Sequence, residues 1–164
     1  MKFRLLPAVA AALLCAPFAA SAQGLFGQAL TGQATHDMPA TCDNARFLAD
    51  QQGLERSGPT RVDLPEHLCG QVLAISPKAK RTRSGWHGYF YVSVGQGVSI
   101  RIVSDLDEMN APQWPWVNKG DQVEVQGRYY YDSLRRQGVD WTHHGTSRKW
   151  RWPGYVVVNG TRYQ

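Results

Sequence analysis

From Cys69 onward, hydrophobic and polar positions alternate with a period of two along much of the chain. That is the pattern of strands whose successive side chains point to opposite faces. Val72 and Ala74, with their neighbours, mark a first strand, and Tyr89, Tyr91 and Ser93 alternate with Phe90, Val92 and Val94 in a second. Gly95-Gln96-Gly97 turns the chain into Val98-Ser99-Ile100-Arg101-Ile102, so these two strands are expected to form a hairpin. A loop should run from Asp105 to Lys119, because no strand in mid-sheet accommodates both Pro112 and Pro115. After Gly120-Asp121, Val123 and Val125 on one side and Glu124 and Gln126 on the other mark a fourth strand, with Gly127 at a bulge or tight bend. Val139 to His143 is the fifth candidate. Tyr155 to Val158, Asn159-Gly160 and Thr161-Arg162-Tyr163 then read as a hairpin with a type I′ turn.

Upstream of this region the period changes. Ala45, Leu48 and Ala49 recur at helical spacing, Thr41 or Asp43 can cap the first turn, and Gly53 and Gly58-Pro59 end the pattern. Residues 23 to 40, rich in Gly, Gln, Ala and Thr without an apolar period, read as a flexible lead-in. Met1-Lys2-Phe3-Arg4, the apolar stretch from Leu5 to Ala20 and the small-x-small site Ala20-Ser21-Ala22 predict a signal peptide over residues 1–22. The stretch falls short of the roughly 20 apolar residues that span a bilayer. No membrane span is therefore expected, and the protein should be exported to the periplasm or the medium. Leu14 before Cys15 is not the small residue that lipoprotein cleavage requires.

Of the 164 residues, 142 remain after residue 22, enough for one domain over 41–164. A short helix followed by five or six short strands makes the expected fold class all-β. The order of hairpin, long loop and returning strands resembles the small barrel of the oligonucleotide- and oligosaccharide-binding (OB) type.

Charge changes the picture little. The whole chain carries a formal +5, and without Lys2 and Arg4 there are 16 basic against 13 acidic residues, or +3. That balance permits an anionic partner only if the basic groups cluster. Cys42 and Cys69, in an oxidising compartment, are expected to form a disulfide worth about 3 to 4 kcal/mol in the chain-entropy model. No Cys-x-x-Cys spacing favours a redox couple or a pair of metal thiolates instead.

Two segments concentrate the candidate chemistry. Asp140-Trp141-Thr142-His143-His144 supplies two imidazoles, and strand alternation would put His143 on the face opposite Thr142 and His144. With His87 as a third imidazole and Asp140 or Asp105 as an acid, such a set would suit zinc. There is, however, no His-x-His or His-x-x-x-His spacing, no recognisable Ser-His-Asp order and no phosphate-cradling Gly-rich loop.

The second signal is basic residues mixed with aromatic ones. Lys78, Lys80, Arg81 and Arg83 lead into Trp86 and His87, while Arg148, Lys149, Trp150, Arg151 and Trp152 follow Trp141 closely. Stacking planes beside cations bind single-stranded nucleic acid without sequence preference, and aromatic platforms serve sugars as well. The plainer reading makes Lys78 to Arg83 a solvated hairpin loop and lets Trp150 and Trp152 plug an end of the barrel. The leading expectation is a binding module for a polyanion or glycan, such as single-stranded nucleic acid or an acidic glycan, with no cofactor. The alternative is a zinc-dependent hydrolase, nucleases included, with His87, His143, His144 and Asp140 as catalytic candidates.

Gly70, His87, Phe90, Gly120-Asp121, Gly127, Trp141-Thr142-His143-His144, Gly154, Asn159-Gly160 and Tyr163-Gln164 together resemble domain of unknown function 3465, a set of small exported bacterial proteins. The resemblance runs from about Cys42 to the end, and Trp-Thr-His-His is its most specific part. Where the family pattern has Ala-His-Asn, this chain has Val103-Ser104-Asp105, which takes one histidine from a three-imidazole metal site. Gly145-Thr146 and Tyr155 stand where the family has Asp-Pro and a tryptophan. The resemblance implies the domain limits and the candidate segment, and names no reaction.

Overall fold

The computed structural model describes residues 37–58 and 60–164; the expected signal peptide and the lead-in up to residue 36 lie outside the described residues. The last four residues of the expected lead-in are tied down: the Asp37 carbonyl accepts from Arg46, and the Pro39 carbonyl lies 2.9 Å from His67 Nδ1.

The helix α1 (Asn44–Ser57) starts where Asp43 accepts the backbone N–H of Arg46 at 2.9 Å, satisfying one of the free donors of the first turn. It ends at Gly58, whose N–H meets the Glu55 carbonyl. Its inward face is Phe47, Leu48 and Gln51. Phe47, which the helical spacing of the smaller residues did not single out, sits edge-on against Tyr129 at 4.9 Å, and burying it contributes roughly 2 to 3 kcal/mol.

Eight strands follow: β1 (Val62–Ile75), β2 (Lys80–Thr82), β3 (Gly85–Gly95), β4 (Val98–Asp105), β5 (Gln122–Ser133), β6 (Arg136–Asp140), β7 (Tyr155–Val158) and β8 (Thr161–Tyr163). Five of them close a barrel in the order β1-β3-β4-β6-β5 and back to β1. All neighbours are antiparallel except β4 and β6, which meet in parallel at Ile102 and Val139. Counting barrel strands alone, the order is first, second, third, fifth, fourth: a small all-β barrel of the OB type preceded by a helix. β2 adds to β3, and β7 and β8 extend the sheet from β5.

Leu68, Phe90, Ile100, Ile102, Val125 and Val139 fill the interior. The helix α1 covers the end where β3 finishes, with Asn44 reaching the Val94 carbonyl. Residues 106–117 cover the opposite end and bring Met109, Trp116 and Val117 into the core. No helix among the described residues is long and apolar enough to cross a membrane.

Cys42 and Cys69 form the expected disulfide, with Cα atoms 5.5 Å apart. Asn44 reinforces the joint: its side chain donates to the Cys69 carbonyl at 2.7 Å and accepts the Cys69 N–H at 3.0 Å, as a strand partner would.

Several expected boundaries shift. The first strand starts at Val62 rather than near Cys69, so Cys69 lies inside it. Pro65, Glu66, His67 and Leu68 are buried in succession, because both faces of β1 are covered there, and the alternation disappears from the sequence. The fifth barrel strand runs Arg136–Asp140 and not Val139 to His143: Trp141 takes φ +55°, which ends the strand. Lys80–Thr82 forms the exposed strand β2 where a solvated loop was the alternative. Gly127 is no bulge; the ladder with β1 runs through it unbroken, and its missing side chain leaves room for the Asp140 carbonyl. The β7–β8 turn is as expected, with Asn159 and Gly160 both at positive φ.

Candidate binding face

The three histidines singled out from the sequence lie in different settings. His87, near the start of β3, is buried, with Nε2 3.7 Å from an Asp105 oxygen and Nδ1 3.0 Å from the Gly85 carbonyl. His143 lies beyond the end of β6, half-buried and stacked on Trp141 at 5.3 Å, and its Nδ1 accepts the Gly145 N–H at 3.2 Å. Burial pushes the His143 imidazole below its ordinary pKa, against the opposing pull of Asp105 and Glu108. His144 is exposed. Asp140 gives both oxygens to Arg128, each at 2.8 Å, and so braces β5 against β6. Asp105 stands near both His87 and His143, yet these residues do not converge at metal-ligand spacing. Among the described residues that spacing belongs to Cys42, Cys69 and Glu124.

The Trp150 cluster divides by burial. Trp150 is only 4% exposed and packs edge-on against Trp152 at 4.8 Å, so it offers no open plane. Trp152 is half-buried and already carries the Arg151 guanidinium over its ring at 4.6 Å, while Arg151 also pairs with Asp37. Arg148 and Lys149 project into solvent.

A different aromatic and basic surface is assembled from strands far apart in sequence. On the outward side of the barrel, Tyr89 and Tyr91 come from β3, Arg101 from β4, and Arg128 and Tyr130 from β5. The Arg101 guanidinium lies 5.9 Å from the Tyr89 ring and 5.8 Å from the Tyr130 ring, and it donates to the Tyr130 hydroxyl. Tyr130 reaches Arg101 across β6 because Gly138 stands between them; a Cβ there would lie 2.7 Å from the Tyr130 hydroxyl. Tyr91, directly opposite Arg101 in the β3–β4 register, is 40% exposed, and Lys80 lies 6.0 Å from the Tyr89 ring centre. Farther along, Arg128 covers Trp141 at 5.4 Å, and Trp141 covers His143. Trp141 is thereby the one aromatic residue of the sequence-predicted set that joins this surface. Around the end of the barrel, Trp86 and Trp114 flank an open cleft of about 400 Å³, also lined by Asp107 and Gln113.

A further polar cluster lies on the outer side of β1, β5 and β7. The Tyr155 hydroxyl donates to Glu124 Oε1 at 2.6 Å, and His67 Nε2 lies 2.8 Å from the same oxygen. The bond from Tyr155 holds the Glu124 carboxyl below the usual carboxylate range, opposed by partial burial and aided by His67. Burial, together with this bond, pushes the Tyr155 phenol up to about 12.

Compared with known proteins, the chain matches no family model and no curated relative.

Proposed function

We propose that this domain is a binding module for an extended polyanion, single-stranded nucleic acid or an acidic glycan, which it holds along the outward face of β3 and β4. The observation that carries the reading is Arg101, clasped between Tyr89 and Tyr130 with the open ring of Tyr91 opposite it. The clasp fixes a guanidinium in place beside a stacking plane, which lowers the ordering cost of binding. In barrels of the OB type this same face receives oligonucleotides and oligosaccharides. The reading calls for no cofactor. It takes the segment ahead of residue 23 as a signal for export to the periplasm or medium, to which the disulfide is suited. A zinc-dependent hydrolase built on His87, His143 and His144 has less geometric support, since Asp140 is occupied by Arg128 and the imidazoles do not meet.

The test is a titration with single-stranded DNA and with an acidic glycan at low and high salt. Binding should weaken steeply as salt rises, Arg101→Ala should flatten that dependence by roughly one counterion, and Tyr91→Ala should weaken binding at every salt by about 1 to 3 kcal/mol if bases are stacked. Preference for one ligand at matched charge identifies the class. Absence of binding to both at low salt eliminates the proposal, and loss through Arg148→Ala with Arg101→Ala silent moves the site to the other cluster.

A further inference from the structure

We propose that, once its disulfide is reduced, the domain binds one zinc-class thiophilic divalent cation through Cys42, Cys69, Glu124 and His67. This inference stands apart from the polyanion reading and does not depend on it.

The site follows from strand geometry. His67 and Cys69 are two residues apart on β1 and share its outer face. Glu124 pairs directly with Cys69 across the β1–β5 ladder. Cys42 approaches from the segment ahead of α1. The two sulfurs and a Glu124 oxygen lie within 4.8 Å of one another, and His67 Nε2 is 2.8 Å from Glu124 Oε1. Bonds of about 2.0 to 2.3 Å around tetrahedral zinc place its ligand atoms some 3 to 4 Å apart, so opening the disulfide brings the two sulfurs and Glu124 into reach with small side-chain movements, and His67 completes the set by turning toward the sulfurs from its contact with Glu124.

The surroundings are those of a ligand set. Pro39 offers its carbonyl to His67 Nδ1 at 2.9 Å, which leaves Nε2 pointing at the carboxylate, and Tyr155 orients Glu124 at 2.6 Å. Backbone carbonyls and hydroxyls in these positions fix the orientation of metal-bound imidazoles and carboxylates. The cysteines are half-buried and not sealed in the core.

Reduction requires an external two-electron reductant, such as a dithiol. One of its sulfurs attacks the Cys42–Cys69 bond, the second resolves the mixed disulfide, and the reductant leaves as a disulfide. Its two electrons and two protons end on the Cys42 and Cys69 sulfurs. The cation then displaces both protons to solvent, and two thiolates with one carboxylate outweigh its double charge by one. Thiolates select zinc over calcium or magnesium, and the oxidised pair offers no thiolate.

The experiment uses the full chain, oxidised or reduced with a phosphine under anaerobic conditions, exposed to zinc and then desalted for elemental analysis. One zinc per reduced chain and none per oxidised chain is expected. Cobalt in place of zinc should give a sulfur-to-cobalt charge-transfer band with tetrahedral ligand-field absorption, and Tyr155→Phe should weaken affinity about 10- to 100-fold while the circular dichroism of the barrel persists. Should reduction alone unfold the chain, one equivalent of zinc should restore that signal. A reduced chain that retains no zinc, a cobalt spectrum without the sulfur band, or zinc uptake that survives Cys42→Ser and Cys69→Ser together overturns the proposal.

Discussion

Glu66, fully buried on β1, faces Asp50 of α1 carboxyl to carboxyl. Among the described residues neither Glu66 oxygen meets an N–H donor, so the contact holds when a proton lies between the two groups. Burial pushes Glu66 up to about 8, against the pull of Arg46, and Asp50 and Asp43 add to the rise. A folded pKa above the unfolded value of 4.5 means that the folded chain holds the extra proton between those limits. The stability this proton confers is therefore complete below about pH 4.5 and lost as pH rises toward 8. The helix docked over the barrel end should loosen with alkali.

Glu66→Gln keeps the shape and removes the titration. Urea midpoints measured from pH 4 to 9 should slope downward across that window in the parent chain and run nearly flat in the variant, a difference on the order of a few kcal/mol at the alkaline end. Parallel profiles for the two chains would show that Glu66 does not titrate there.

Val125 and Glu124 are neighbours on β5 with opposite duties. Val125 lies fully inside the barrel, so Val125→Asp should abolish folding by burying an unpaired charge at a cost of several kcal/mol. Glu124 faces outward, and outward position alone would make Glu124→Ala nearly silent. The bonds to buried Tyr155 and His67 argue otherwise: the substitution removes the acceptor they share, leaves only the longer Tyr155–His67 contact at 3.2 Å between them, and should cost about 1 to 3 kcal/mol. Circular dichroism of the first variant and the denaturation midpoint of the second decide between these duties.

How much of this was legible in the sequence depends on which faces are dry. The hairpin of β3 and β4, the strand β5 and the Asn159-Gly160 turn could be read because one side of each meets the core and the other meets water. The start of β1 could not, since covering both faces of residues 65–68 erases the period. The end of β6 could not either, because the left-handed turn at Trp141 leaves no mark in hydrophobicity. The binding face escaped for a related reason: runs such as Arg148 to Trp152 are contiguous, whereas Tyr89, Arg101 and Tyr130 meet only through pairing of β4, β6 and β5. The visible signal was aromatic and basic residues on the wet phase of strands, Tyr89-x-Tyr91 and Arg128-x-Tyr130. His67-x-Cys69 is the same kind of signal for the cation site.

Trp150 and Trp152 should separate in their effects. Trp150 is buried against Trp152, so Trp150→Ala should cost about 3 to 5 kcal/mol through the cavity it leaves. Trp152 is half-buried and should cost less. Thermal denaturation of the two variants measures the difference. Equal and small losses would return Trp150 to the surface.

Gly138 provides the sharpest link between fold and proposed function. Its missing side chain lets Tyr130 lie across β6 and clasp Arg101, and a methyl group there would meet the Tyr130 hydroxyl at 2.7 Å and the Arg101 carbonyl at 3.0 Å. The hydroxyl end of Tyr130 can swing aside more easily than the sheet can part, so Gly138→Ala should fold at a cost of about 1 kcal/mol, within the usual range for single substitutions. The displaced ring no longer restrains Arg101, which must then be ordered by the ligand at about 0.5 to 1.5 kcal/mol. Polyanion affinity should fall by roughly threefold to tenfold while its salt dependence stays unchanged, because the charge is still present. Tyr130→Phe, which removes the hydroxyl and leaves the ring, should reproduce part of that loss without the steric change. A Gly138→Ala chain that binds as tightly as its parent would mean that the clasp on Arg101 plays no part in recognition.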